Sequence, residues 1–502
     1  MRTKFFPRVL LYSLILLVLT GAVYFIFLRT TPKHAHISSE MAPAKSIAVL
    51  PFTNAANDSS QQYLSDGLTD DIINSLSQLN GVKVIGTASV FQFRNTKLSL
   101  REIGNRLHVN TVLQGSLALT GNSVRIIARL TNVEDSSDIW YKQFDENADA
   151  IFSMQDKIAN AIAMRLQIDP EKNELPIQTH KNMSNPTAYK LYLRGRLAWN
   201  LKTPVSLKKG IDFFQQAIGL DSLYAPAYAG LADCYTALGY GSFITPTEAF
   251  PKAFAAANKA IALDATLAEP YATVGYYRFY YEWDWQAAEE GFRKAISLNP
   301  NYALAYDWYG YYLTSMKRYD EARAALDKAA ELDPLSIAIK TDIGFSTYYN
   351  GQYDSAIKLL NDALQMNPVF PLAKLWMGRC YQAKKMYPEA IAEFRDAIKA
   401  SSQWPVAYAQ IGSVYGVAGN KEGALQILDT LSALAKNEYV TSYGVALVYA
   451  GLDNKEEAFH WLNKAYDERT NWLVWLNTDP RWVLMRPDKR FTELVAKVGL
   501  PR

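Results

Sequence analysis

The chain has 502 residues, 49% of them hydrophobic and 20% charged, which is enough for more than one buried core. Its net charge is +3, but Arg2, Lys4, Arg8, Arg29 and Lys33 stand at the start with no acid among them, so the remainder is slightly acidic. That speaks against a nucleic-acid binder, which needs a concentrated basic surface, and two cysteines, Cys234 and Cys380, exclude a disulfide-built scaffold.

The run 9–28, VLLYSLILLVLTGAVYFIFL, opens at Val9, closes at Leu28 and carries no charge. It is long enough to cross a bilayer as a helix. Arg2, Lys4 and Arg8 precede it, so residues 1–8 are expected to stay in the cytoplasm and everything after Leu28 to be exported. A cleaved signal peptide, cut near Thr20-Gly21-Ala22, is the alternative; the apolar run continues six residues past Ala22, which favours an anchor. Residues 29–44, with Pro32 and Pro43, read as a tether, and His34 and His36 within it read as polar linker residues.

From 45 to about 170 the pattern changes to an α/β domain. SIAVLPF (46–52) is a short apolar strand, and 63–79 is an amphipathic helix with Leu68, Ile72, Leu76 and Leu79 on one face. VKVIG (82–86) is a second strand and 100–107 a short helix. Residues 111–145 form three antiparallel strands, turned tightly at Gly121-Asn122 and loosely at 135–137, before a last helix over 147–167. The fold expected is a mixed or mostly antiparallel sheet with helices packed on it.

Beyond 186 the sequence repeats itself. Alanine recurs every 34 residues at Ala288, Ala322, Ala356, Ala390, Ala424 and Ala458, and glycine stands twelve positions ahead at Gly310, Gly344, Gly378 and Gly412. Gly275 is one residue further ahead, which implies an insertion at 281–285. A second alanine ladder (Ala295, Ala329, Ala363, Ala397, Ala465) and a proline ladder (Pro300, Pro334, Pro368) share the period. Each period reads as helix, turn, helix, turn; small residues mark close helix approach, and proline ends the second helix. One such hairpin cannot bury its apolar face alone, so the units stack into an all-α solenoid.

Gly378, Tyr381, Tyr387, Ala390, Phe394 and Ala397 together resemble the tetratricopeptide repeat. About eight units fit between 186 and 468, with first helices near Tyr189, Tyr228, Tyr271, Tyr306, Ile339, Leu375, Tyr408 and Tyr443. GYGSFITPTEAF (239–250) stretches the second unit into a loop, and 469–502 leaves the period and reads as a helical cap. Cys234 and Cys380 lie four repeats apart, on the order of 40 Å at one helix-packing distance per repeat. That is too far for a disulfide, so both read as buried thiols.

The first half carries a second resemblance. SIAVLPF, YLSDGLTDDII, REIGNRLHVNTVLQGS, VRIIARL and IWYKQFD look like the TolB amino-terminal-like domain, which is related to the flagellar outer-membrane FlgO family. In bacterial relatives that domain precedes tetratricopeptide repeats, often behind an adenylate cyclase, a kinase or a winged-helix domain. With eight residues ahead of the apolar run, no such effector is expected there. The resemblance therefore implies a sensory or scaffolding half.

Residue patterns for chemistry are sparse. None of the five histidines (His34, His36, His108, His180, His460) pairs at ligand spacing on a predicted helix, and no phosphate loop or nucleophile elbow is present. No cofactor, metal or catalytic residue is expected. Asp66, Asp70 and Asp71 share one early helix; their acids suit the helix macrodipole, and Asp66-Gly67-Leu68 is expected to shape the helix entry against the first strand. A hydrolase site on these three aspartates is the least favoured reading.

The candidate site is the concave groove that first helices line in tetratricopeptide proteins. The resemblance maps it to Tyr276, Phe279, Tyr280, Tyr311, Phe345, Tyr348, Tyr349, Arg379 and Gln382, with Asp307 and Thr341 facing the same way. A tyrosine-rich groove with a few charges suits an extended peptide or a sugar chain. The expected function is a scaffold held in the inner membrane, with its domains in the periplasm, that binds a protein or peptide partner and no nucleic acid. A ligand-sensing subunit of a transmembrane signalling system is the alternative.

Overall fold

The computed structural model describes residues 45–501, apart from 56–57, 148–149, 169–172, 174–184 and 402. The run 9–28, the tether and His180 lie outside the described residues. Among the described residues no helix is long and apolar enough to cross a membrane.

The α/β domain has a six-stranded mixed sheet. β1 (Ser46–Val49) pairs in parallel with β3 (Lys83–Val84) on one side and β4 (Thr111–Thr120) on the other. β5 (Ser123–Asn132) and β6 (Asp138–Asn147) extend it antiparallel in the order β3-β1-β4-β5-β6, and β2 (Thr53–Asn54) adds to β4. The hairpin turns at Gly121 with φ +58°, the left-handed conformation that glycine adopts without strain. Ile47, Ala48 and Val49 have no exposed surface, which explains an uninterrupted apolar run rather than an alternating one.

Four helices flank the sheet: α1 (Gln62–Ser77), α2 (Thr87–Val90), α3 (Leu100–Leu107) and α4 (Ile151–Arg165). A capping box at Ser99 and Glu102 starts α3, and His108, with φ +52°, ends it.

Among the described residues eight helix pairs follow, and each expected first-helix position falls in a helix. Repeat 1 pairs Pro186–Asn200 with Pro204–Leu220, and repeat 2 pairs Ala225–Tyr240 with Pro246–Leu263. The second helix of repeat 2 starts within the stretch read as a loop, because Thr245-Pro246 is a favourable helix start. Repeat 3 joins Glu269–Tyr277 to Trp285–Leu298. Its extra residue is absorbed by a π-helical turn, Arg278–Glu282, which ends at Trp283 with φ +62°.

Repeats 4 to 8 run from Ala303–Ser315 to Lys455–Asp467. The ladder glycines mark real close approaches: a Cβ on Gly310 would lie 2.7 Å from Leu326, one on Gly344 2.7 Å from Leu360 and one on Gly378 2.5 Å from Phe394. Both cysteines are buried and free.

The two halves are not strung in line. α1 lies on repeat 1 so closely that a Cβ on Gly67 would come within 2.6 Å of Leu193. That closeness accounts for Gly67, in place of the expected contact with the first strand. Further along, Asn301 accepts from the Val84 amide at 3.1 Å and donates to the Ser77, Leu79 and Val82 carbonyls at 2.9, 3.3 and 3.1 Å. Gly86 donates to the Leu332 carbonyl at 2.8 Å, and Asp333 accepts from the Ser89 amide at 2.7 Å. The α/β domain thus spans from repeat 1 to the junction of repeats 4 and 5.

Candidate functional site: the inner face of the repeats

The first helices bring the expected groove residues together. The Tyr276 and Tyr280 rings lie 4.5 Å apart, Tyr240 stacks on Tyr311 at 5.9 Å, and Phe345 meets Tyr311 at 5.1 Å and Trp376 at 4.6 Å. Tyr348 and Tyr349 both pack against Trp376. Arg379 donates through Nε to Gln410 at 3.2 Å, and Gln382 donates to Ser413 at 3.2 Å. Thr341 is satisfied within its own helix, donating to the Ile337 carbonyl at 2.8 Å.

The groove is filled, however. All of these candidates, Tyr276, Tyr280, Asp307, Tyr311, Thr341, Phe345, Tyr348, Tyr349, Arg379 and Gln382, are at most 8% exposed. The occupant is the chain's own carboxy-terminal segment, expected as a cap on the last repeat. Trp475 stacks on Tyr349 at 4.6 Å and meets Phe345 edge-on at 4.9 Å, and Trp472 lies 4.8 Å from the Arg379 guanidinium.

Polar contacts hold the segment in extended or 3-10 form. Asn471 donates to the Tyr240 carbonyl at 3.1 Å and the Trp472 indole to Ser242 at 3.2 Å. Arg469 covers Trp283 at 4.2 Å. Beyond it, Asp479 is fully buried, pairs with Arg481 and accepts from Tyr443 at 3.1 Å. The solenoid also closes on itself, since the Trp404 indole donates to the Gly241 carbonyl at 2.9 Å. The sequence held a signal for this: three of eleven tryptophans fall within 472–482, which is unlike the polar outer face of a terminal cap.

Charges are buried along the same face. The Tyr311 side chain lies near both Asp307 and Asp342, and its hydroxyl favours the ionised form of each against burial. Burial raises both carboxyl pKa values, and Asp342 raises that of Asp307 further. Arg379 is held below its ordinary value by burial and by the nearby Arg481. Burial pushes Asp479 up, but Arg481 and then Arg379 outweigh it and keep the carboxyl ionised.

Two aspartates on α1 serve the seam between the halves, and the third is tied within the α/β domain. Asp70 pairs with Arg196 at 3.0 Å and accepts from Thr87 at 2.6 Å; Asp71 accepts from the Tyr189 hydroxyl at 2.6 Å; Asp66 pairs with Arg94 at 2.6 Å. All three are buried, and none lies in the first turn of α1, so ion pairing rather than the helix dipole explains them. Asp233 approaches Arg196 at 3.5 Å from the solenoid side. Asp71, Tyr192, Arg196, Asp233 and Glu269 line a seam cavity of about 30 Å³, room for one water. Among the described residues no cluster of His, Cys, Asp and Glu is arranged to hold a metal.

Profiles of the tetratricopeptide repeat match residues 292–324 and 348–411. Tetratricopeptide repeats are present in the solenoid, at these residues. Residues 43–161 match the second domain of HilA/YgeH-like transcriptional regulators. Among curated proteins the chain is 31% identical over 205 residues to "Putative adenylate cyclase 3" of Rhizobium meliloti (strain 1021), covering 41% of this chain and 35% of that one. It is 24% identical over 308 residues to "Transcriptional regulator HilA" of Salmonella typhimurium (strain LT2), covering 61% and 54%. The chain thus spans about a third to a half of the length of these relatives. Among solved structures, that of the APC/C hetero-tetramer Cut9-Hcn1 superposes with a TM-score of 0.44 at 14% identity, over 69% of this chain and 63% of that one.

Proposed function

We propose that this protein is an interaction scaffold of the bacterial envelope. The run 9–28 crosses the inner membrane, residues 1–8 stay in the cytoplasm, and the TolB-like α/β domain and the repeats stand in the periplasm. The inner face of the repeats binds an extended segment of a protein partner. One observation carries this reading: that face already holds polypeptide, seating Trp472 and Trp475 among first-helix aromatics and bonding the segment at Asn471 and Trp472. Aromatic seats with a few fixed polar contacts are the chemistry by which a solenoid takes a peptide.

The test is crosslinking in cells followed by capture of the full chain, comparing wild type with Trp472→Ala. A partner crosslinked to the inner face should be recovered in higher yield from the variant; equal yield would overturn binding at this face. A reporter active only outside the cytoplasm, fused after Arg502, should give signal, and a silent, well-expressed fusion would overturn the topology. A second reading, a sensing subunit that signals across the membrane, draws on the relatives named as an adenylate cyclase and a transcriptional regulator. Under it, crosslinking should recover a second membrane protein.

A further inference from the structure

Beneath Trp472 the inner face has more donors than it can satisfy. Arg379 Nη1, the Trp376 indole nitrogen and the Tyr348 hydroxyl have no hydrogen-bond partner among the described residues, and each residue is 1% exposed. They form one cluster: the Arg379 guanidinium lies 4.2 Å from the Trp376 ring, and the Tyr348 and Trp376 rings are 5.7 Å apart. The unmet acceptors beside them are Gln382 Oε1 on the same helix and the Tyr349 hydroxyl, and neither carries a charge.

The charges are also unequal. Arg379 and Arg481 share a single carboxylate, Asp479, and its hydrogen bonds go to Arg481 and Tyr443. Arg379 is left as a buried cation sandwiched between Trp376 and Trp472. An uncompensated buried charge is costly, and truncated hydrogen bonding adds to the cost. What the cluster lacks is a carboxylate.

We propose that residues 470–482 are a resident ligand of the inner face, standing where a partner's aromatic and acidic peptide docks with its carboxylate on Arg379. The inference rests on the scaffold reading and names its partner's chemistry. The resident segment seats its aromatic rings but spends its carboxylate on its own Arg481. A peptide with the same aromatic spacing and no arginine beside the acid meets the face better, so it displaces the segment.

The test uses the full chain and labelled synthetic peptides copying 470–486, read by fluorescence anisotropy. The unmodified copy should bind the Trp472→Ala chain and bind wild type far more weakly. A copy with Arg481→Ala, which frees Asp479 for Arg379, should bind about tenfold tighter than the unmodified copy, as expected for gaining one buried charge pair. A copy with Asp479→Asn should lose that gain, and so should every copy on a chain carrying Arg379→Gln. Equal affinity of the Arg481→Ala and unmodified copies, or a preference that survives Arg379→Gln, would overturn the proposal.

Hydrogen exchange on the wild-type chain needs no variant. Amides of 471–482 should exchange well before those of Ser442–Gly451, and equal protection would show a segment that never leaves. Peptide binding with these preferences but no crosslinked partner would leave the site standing and remove the scaffold reading. A partner captured equally with and without Arg379→Gln would do the reverse.

Discussion

Asn301 concentrates the contact between the two halves, so replacing it tests how they are joined. Its side chain, 8% exposed, accepts from the Val84 amide and donates toward three carbonyls of the α/β domain. Asn301→Ala strands a buried N–H at a cost of about 1–3 kcal/mol, and the lost carbonyl bonds add about 1 kcal/mol. The expected loss is therefore about 2–4 kcal/mol of unfolding free energy. Asn301→Asp keeps an acceptor for Val84 but turns a charged acceptor toward carbonyls, so at pH 8 it should cost more than alanine.

Urea unfolding followed by far-UV circular dichroism and by tryptophan fluorescence measures this loss. Trp140 is the single tryptophan of the α/β domain and the other ten lie in the repeats and tail, so the two signals weigh the halves differently. A loss below about 0.5 kcal/mol for alanine, the size of an ordinary surface change, would refute Asn301 as the hub. So would equal losses for alanine and aspartate at pH 8.

Other expectations follow from the same geometry. Arg196→Gln should cost about 3–5 kcal/mol, because Asp70 and Asp233 then remain buried without their cation, and added salt should not restore it. Gly86→Ala should cost about 1–3 kcal/mol, since its Cβ would lie 2.7 Å from the Asp333 carboxyl carbon while its φ of −67° suits alanine. Asp333→Ala in the same chain should return part of that cost, a coupling that thermal melts can read. Asp342 has its folded-state pKa raised by burial, so the native chain keeps a proton that the unfolded chain sheds above about pH 4. Stability from this group is complete below that pH and declines as pH rises through the raised value. Asp342→Asn should accordingly stabilise the protein at pH 8 by about 1 kcal/mol or more and give nothing at pH 4, measured by melts across that range.

The repeats were legible because their constraint is local. Close helix approach demands small residues at fixed offsets, and each offset recurs within one 34-residue unit, so Gly310, Gly344 and Gly378 declare themselves in sequence and reappear over Leu326, Leu360 and Phe394. The sheet was legible for the same reason at Gly121 and along β4 and β5. The seam was not. In the period, Asn301 stands where Leu335 and Val369 stand in the next units, and that break in an apolar series was its one signal. Asp333 resembles the turn residues Asp264 and Asn367, whose side chains accept from amides two residues on; here the acceptor reaches Ser89, 244 residues away. The candidate groove residues lie close together, but their burial was not legible, because nothing local in Tyr349 or Phe345 tells a ligand from Trp475.

These long-range contacts change the physics of the solenoid. An open repeat array is stabilised only between neighbours and can unfold from its ends. Here the α/β domain ties repeat 1, through Arg196 and Tyr189, to the junctions flanking repeat 4, through Asn301 and Asp333. The carboxy-terminal segment ties repeat 8, through Tyr443, to repeats 2, 3 and 5, through Tyr240, Phe279 and Tyr349. The two ties differ in kind. The first is built mainly from hydrogen bonds and ion pairs, with Glu269 Oε2 left unmet beside its cavity, so breaking it strands charges in the seam. The second rests on aromatic burial and leaves Arg379, Trp376 and Tyr348 with donors unmet, so its release gives those groups water or a partner's carboxylate. Under mild denaturant the second tie should therefore open before the first.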